Sequence, residues 1–378
     1  MFFLTRSIVQ IHANLSATMT NPPETSAETS REPSAETSVY RILDAAFNRS
    51  TEGLRVVEDY LRMHLDDAHL AGQAKQLRHN LAQASAMIAL KDLVSARDTQ
   101  NDVGRTIETE SEYERAEIQS VVKANLARVQ QATRTIEEFG KTFSKDLARA
   151  AEEIRYLSYT FEKAVLTTMQ NVDTLQHVNL CVLVDGRGSV DELETLVTHL
   201  IAANVGMIQL RDKQLADREL VVAGTRLSKI TRPSNTVWIM NDRADLAMAA
   251  GADGVHLGQD DISVSDARRM VGTNKLIGVS CHTIEHARSA VLDGASYLGV
   301  GPTFPSQTKT FESFAGLDLV REVAAEIKLP AFAIGGIHLD NVTDVVQSGL
   351  NRVAVQHAII NAPDPFVAAS DLKTKLRR

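Results

Sequence analysis

Residues 238–261 read WIMNDRADLAMAAGADGVHLGQDD. An apolar run ends in Asn241-Asp242, and an alanine-rich stretch at helical spacing follows. Gly251-Ala252-Asp253-Gly254 then turns the chain into a second apolar run, which ends in Gln259-Asp260-Asp261. Strand, short helix and strand in close succession are the pattern of a parallel α/β unit. In such folds the loops at the carboxyl ends of the strands form the ligand crevice, so Asp242 and Asp261 are expected to converge there. Two carboxylates in a crevice suit a hard cation such as Mg2+, which is held by one or two carboxylates together with substrate phosphates. The competing reading is that each Asp merely caps the helix that follows it.

Outward from this unit the alternation continues on both sides. Strands are expected at 179–185, 205–210, 236–240, 254–257, 276–280, 297–301, 331–334 and 352–355, separated mostly by amphipathic stretches. Eight such units within residues 178–378 predict a (β/α)8 TIM barrel rather than an open sheet.

The expected carboxyl ends carry one kind of chemistry. They read Gln209, Arg211 and Lys213; Asn241 and Asp242; Asp261; Ser280 and His282; Ser306, Thr308 and Lys309; Gly335 and Gly336; and Gln356 with His357. Arg and Lys neutralise phosphate oxygens, hydroxyls and glycine N–H groups cradle a second phosphate, and separated acids hold a metal. A Gly pair after the seventh strand matches the usual phosphate position of such barrels, although glycine also marks tight turns, and Lys309 also reads as a surface residue. No Ser-His-acid arrangement is evident. His256 falls mid-strand and reads as a satisfied core histidine, and spacing alone does not assign proton transfer to His282. Two phosphate sites and a metal imply displacement of pyrophosphate.

Composition narrows the class. A net charge of −8 and a pI near 5.8 give no electrostatic footprint for nucleic acid. Cys181 and Cys281 both sit in apolar runs, which excludes a disulfide framework or a thiolate cluster and fits a reducing cytoplasm. No apolar run reaches membrane-spanning length, and MFFLTRSIVQIH, with an early Arg6, is a poor secretory signal. Residues 1–38 include the near-duplicate SAETSREPSAETS, rich in Ser, Thr and Glu and without bulky apolar residues, so a disordered leader is expected, with Met19 as an alternative start.

Residues 39–170 read as an all-α helical bundle, free of proline and rich in Ala, Leu, Arg and Glu. Leu43, Phe47, Leu54, Val57 and Leu61 share one face of the first helix, and Asn48, Glu52, Arg55, Asp59 and Arg62 share the other. The stretch repeats 79 residues on, where Arg49, Arg55, Glu58 and Tyr60 are echoed by Arg128, Arg134, Glu137 and Phe139. One reading is a pair of solvated stripes laced by i,i+4 ion pairs; the other is that Arg55 and Arg134 hold a phosphate between two helices. Between the copies, a polar stretch around Gly104 reads as a loop with Arg105 as an anion ligand.

The motifs QLRDK at 209–213, ND at 241–242, GVHLGQDD at 254–261, GVSCHT at 278–283, GPTFPSQTK at 301–309 and IGGI at 334–337 together resemble the thiamine-phosphate synthase (thiamine-phosphate pyrophosphorylase) family. The resemblance implies that hydroxymethylpyrimidine diphosphate loses pyrophosphate and the resulting cation is captured by hydroxyethylthiazole phosphate. It implies that Gln209, Arg211, Lys213, Asn241, Ser280 and Lys309 hold the pyrimidine diphosphate, with catalytic roles for Arg211, Lys213, Ser280 and Lys309. Asp242 and Asp261 would hold Mg2+, and Ser306, Thr308 and Gly336, beside Gly335, the thiazole phosphate. Ser306 replaces the usual Thr and keeps the hydroxyl, whereas Gln356-His357 replaces an aliphatic residue followed by Ser and leaves the thiazole side open. The stretch NRSTEGLRVVED at 48–59 resembles the alternative hydroxymethylpyrimidine-phosphate kinase family, found fused ahead of some such synthases. That implies ATP as a further ligand. The non-catalytic alternative is a phosphate-metabolite binding or regulatory protein on a degenerate barrel, with the helical region making a homo-oligomer.

Overall fold

The computed structural model describes residues 34–103, 115–186, 188–305 and 315–376. Helix α1 (Ala35–Met63) begins four residues before the expected start of the helical region at 39, because the Ser34 hydroxyl accepts the Thr37 N–H and Glu36 complements the first turn. Its apolar face is the one read from the sequence: Leu43, Phe47, Leu54, Val57 and Leu61 are all buried. Asp67 caps α2 (Ala68–Ser85), α3 (Leu90–Ser95) is short, and α4 (Ile118–Gly140) is followed by α5 (Lys145–Thr174), capped by Ser144. The bundle core is filled by Leu70, Leu77 and Leu81 of α2, Leu126, Val129 and Ile136 of α4, and Leu147, Ile154 and Phe161 of α5.

Helices α1 and α4 run antiparallel. Gly53 lies against Val129 and the Asn125 carbonyl, where an added Cβ would come within 2.9 and 3.1 Å, while at the far end Tyr40 meets Phe143 edge-on at 5.5 Å. Helix α5 outruns the expected boundary at 170 and ends at Thr174, and Leu175 and Val178 then pack into the inner cluster of the barrel beside Cys181 and Met207.

The strands β1 (Leu180–Val184), β2 (Met207–Leu210), β3 (Val237–Asn241), β4 (Gly254–Leu257), β5 (Leu276–Cys281), β6 (Tyr297–Val300), β7 (Ala331–Ile334) and β8 (Val353–Val355) close a parallel barrel in sequence order. β8 pairs back to β1 with Cys181 opposite Ala354. Cys181 and Cys281 are buried free thiols, pushed up to about 12 by burial. Bundle and barrel share one continuous apolar interior. Asp67 ties them together: Oδ1 accepts the Leu70 N–H at 2.7 Å and Oδ2 the Lys328 N–H at 2.8 Å. Lys163 adds a bond from Nζ to the Asp293 carbonyl at 3.0 Å. Among the described residues no helix is long and apolar enough to cross a membrane.

Candidate active site

The carboxyl ends of the strands enclose a crevice of about 630 Å³. Arg211, Lys213, Asn241, Asp242, Asp261 and Ser280 line one side, and Gly335, Gly336, Gln356 and His357 line the other. Side chains two apart on a strand share a face, so Gln209 sits one layer below Arg211. It is buried at 5% exposure beside Tyr297 and is not among the residues that line the crevice. Asp212, between the two cations, turns away. Its Oδ2 accepts the Gly186 N–H, and Oδ1 accepts those of Gln214 and Leu215. Burial works against its charge, but these three donors outweigh it and hold the carboxyl below its usual range. The loop shape that presents Arg211 and Lys213 is fixed this way.

Asp242 and Asp261 meet as the strand ends predicted. Asp242 adopts φ 60°, an unusual conformation for a residue with a side chain, and its N–H donates to the His256 carbonyl at 2.7 Å. Asp261 Oδ2 accepts the Gly258 N–H at 2.6 Å. Neither caps a helix: the one at Ala244–Ala250 has no side-chain cap, and the one at Val264–Val271 is capped by Ser263. Partial burial raises the Asp242 carboxyl above its usual range, and the Asp261 carboxylate beside it raises it further. Two ionised carboxylates so close repel one another, and a divalent cation relieves that repulsion. Among the described residues no group of three or more His, Cys, Asp or Glu side chains forms a metal cage, so a metal here would take the rest of its ligands from substrate and water.

His256 is a satisfied histidine, as its mid-strand position suggested, but it is joined to the site. Its Nδ1 lies 3.2 Å from the Tyr297 hydroxyl and its Nε2 3.0 Å from Ser280 Oγ. Burial lowers its pKa to about 4 and keeps the ring neutral. Tyr297 escaped the sequence reading. The signal for it was glycine inside strands: a Cβ at Gly278 would collide with both Tyr297 and His256, and one at Gly299 would crowd His256. His282 borders the crevice with Nδ1 2.6 Å from the Gly301 carbonyl, which accepts its proton.

Gly335 and Gly336 have φ of 104° and 63°, and a Cβ at Gly336 would stand 2.5 Å from the Pro305 carbonyl. The turn demands glycine for its own geometry while opening backbone toward the crevice. Ser306, Thr308 and Lys309, and Arg105 in the helical region, lie outside the described residues.

In the bundle, Arg55 and Arg134 are not gathered around a shared space. Each is half-exposed and is held along its own helix, Arg55 by Glu58 and Asp59, Arg134 by Glu137 and Glu138. The i+3 and i+4 spacing makes these partners local, as the ion-paired reading expects. The sequence reading missed what each stripe surrounds. Glu58 and Glu137 are both buried at 4% exposure. Glu58 is met by Arg55, Arg62 and, from α2, Arg78 at 2.8 Å; Glu137 by Arg134, Lys141 and, from α5, Arg155 at 2.7 Å. Arg78 and Arg155 each stand eleven residues beyond their helix caps, Asp67 and Ser144, so the internal repeat extends over both helical hairpins.

Two family patterns match separate parts of the chain. The sequence pattern of the thiamine monophosphate synthase family matches residues 180–359, and that of the ThiD2 family matches residues 41–164. A thiamine-phosphate synthase of Rhodopirellula baltica is 42% identical over 330 residues, covering 85% of this chain and 88% of that protein. One from Gloeobacter violaceus is 40% identical over 327 residues, covering 86% and 94%. Among solved structures, a thiamine phosphate pyrophosphorylase from Pyrococcus furiosus is 32% identical, covers 53% of this chain and 96% of its own, and superposes with a TM-score of 0.48.

Proposed function

The chain belongs to the thiamine-phosphate synthase family, and we propose that the crevice at the carboxyl end of its barrel is where the synthase reaction takes place. The protein is a transferase of thiamine biosynthesis. The observation that carries the location is the Asp242–Asp261 pair facing Arg211 and Lys213 in the crevice. Arg211 and Lys213 bind the diphosphate of hydroxymethylpyrimidine diphosphate, with Asn241 and Ser280 beside its pyrimidine. Asp242 and Asp261 are the residues that would hold Mg2+, which when bound supplies charge neutralisation for the departing diphosphate. The bond between the methylene carbon and the diphosphate oxygen breaks and pyrophosphate takes the electron pair. The thiazole nitrogen of hydroxyethylthiazole phosphate then donates its lone pair to form the new carbon–nitrogen bond. Lys309, assigned by its motif, stabilises the leaving group. Ser306 and Thr308, with the Gly335-Gly336 turn, take the thiazole phosphate. The test is to give the full chain both phosphorylated precursors with Mg2+ and to measure thiamine phosphate and pyrophosphate. Equal formation of both supports the reading; failure to form either overturns it.

The ThiD2 match over 41–164 favours a second activity in the bundle, phosphorylation of the pyrimidine monophosphate by ATP, which would supply the barrel's substrate. Thiamine phosphate formed from the monophosphate, ATP and the thiazole phosphate supports it. A strict requirement for supplied diphosphate would leave the bundle a structural or oligomerising role.

A further inference from the structure

We propose that Tyr297 and His256 are positioning residues for the synthase, forming a one-way hydrogen-bond chain that turns the Ser280 hydroxyl proton into the crevice. This rests on the reading that Ser280 meets the pyrimidine diphosphate. A neutral imidazole has one N–H and one lone pair, so its two neighbours must be one donor and one acceptor. The His256 neighbours are both hydroxyls, at 3.2 Å and 3.0 Å, and each hydroxyl has a single proton. Fixing one end therefore fixes the whole chain.

The outer end sets it: Asp242, Asp261 and an anionic substrate offer acceptors in the crevice, so the Ser280 hydroxyl donates outward and its oxygen accepts from the ring. Tyr297 then spends its proton on His256 Nδ1. The ring must carry its own proton on Nε2 and donate it to Ser280 Oγ, leaving the serine proton free for the crevice. The chain is also built. Gly278 and Gly299 leave the space that His256 and Tyr297 occupy, and the Phe332 ring braces Tyr297 edge-on at 5.6 Å. The consequence is that a tyrosine hydroxyl behind the crevice wall controls the pose of a serine at its surface.

Two measurements on the full chain test this. Nitrogen NMR of the imidazole is expected to find the His256 proton on Nε2; a proton on Nδ1 overturns the proposal without any variant. In steady-state assays, Tyr297→Phe is expected to lower kcat on the order of tenfold while the KM for thiazole phosphate stays within about twofold, as loss of one positioned hydrogen bond predicts. In a Ser280→Ala background, Tyr297→Phe should change turnover by less than about twofold, since the residue it positions is gone. Equal losses from Tyr297→Phe in both backgrounds would mark a general structural effect and overturn the proposal. Undiminished turnover in Ser280→Ala alone removes the reading of Ser280 and the proposal with it. A loss in Ser280→Ala beside full activity in Tyr297→Phe overturns the proposal and leaves that reading standing.

Discussion

Glu58 and Glu137 occupy equivalent positions 79 residues apart, each buried beneath cations of its own helix and one arginine from the helix that follows. Because α1 and α4 run antiparallel, the two clusters lie toward opposite ends of the helix pair. A buried carboxylate deprived of its nearest cation is costly, whereas an exposed ion pair contributes little.

The arginines of each cluster should therefore separate by position. Arg155, whose side chain is 11% exposed, bonds Glu137 at 2.7 Å, and its guanidinium also stacks over Tyr156 at 4.7 Å. Arg155→Ala is expected to cost about 3 kcal/mol in denaturant unfolding, at the low end for a broken buried pair because Arg134 and Lys141 remain. Arg134→Ala, at a half-exposed site, is expected to cost less than about 1 kcal/mol. Equal losses would contradict the burial argument.

The same exposed arginines test the second activity. If Arg55 and Arg134 meet a phosphate, replacing either by Ala abolishes the route from monophosphate and ATP and spares the route from supplied diphosphate. If both variants keep the first route at the wild-type rate, the stripes are structural, and the phosphate-binding role proposed for these arginines is wrong.

His256 should leave a mark on acid stability. Its folded pKa of about 4 lies below the unfolded value of 6.5, so the unfolded chain binds the proton first as pH falls. The stability it confers is present above the unfolded value and is lost toward the folded one. From pH 7 to pH 5 the loss is about 2 kcal/mol. Denaturant midpoints followed over that range should fall more steeply for the wild type than for His256→Gln; parallel curves would contradict a neutral buried ring.

The acid pair predicts a proton–metal competition. Burial and Asp261 raise the Asp242 carboxyl, so protons are expected to displace Mg2+ at a higher pH than at an ordinary aspartate. The Mg2+ concentration for half-maximal turnover should rise as pH is lowered. A constant requirement across the acid range would show that Asp242 does not ionise to bind the metal.

How much of this was legible in the sequence follows from the range of each signal. Apolar runs closed by turn residues are local signals, so all eight strands were placed, and β4 and β7 with their bounds unchanged. The convergence of Asp242 and Asp261 followed from topology, since parallel strands bring their carboxyl ends to one rim. Helix ends were less legible: α1 starts at a serine cap inside a compositionally polar stretch, and α5 runs on until Leu175 enters the barrel. Gln209 was taken for a crevice residue because a motif gives order along the chain and not depth along a strand. Arg78 and Arg155 went unnoticed because their carboxylates lie on other helices, a pairing that spacing alone does not reveal.

The most direct test of the central claim is synthase turnover of Asp242→Ala and Asp261→Ala, each supplied with pyrimidine diphosphate, thiazole phosphate and Mg2+. Each substitution removes a charge from the acid pair and no apolar contact from the barrel core. The prediction is a loss of most Mg2+-dependent turnover in both variants, with unfolding midpoints at or above that of the wild type because a like-charge repulsion has been relieved. Undiminished turnover in either variant would contradict the assignment of this pair to the metal and of this crevice to the reaction.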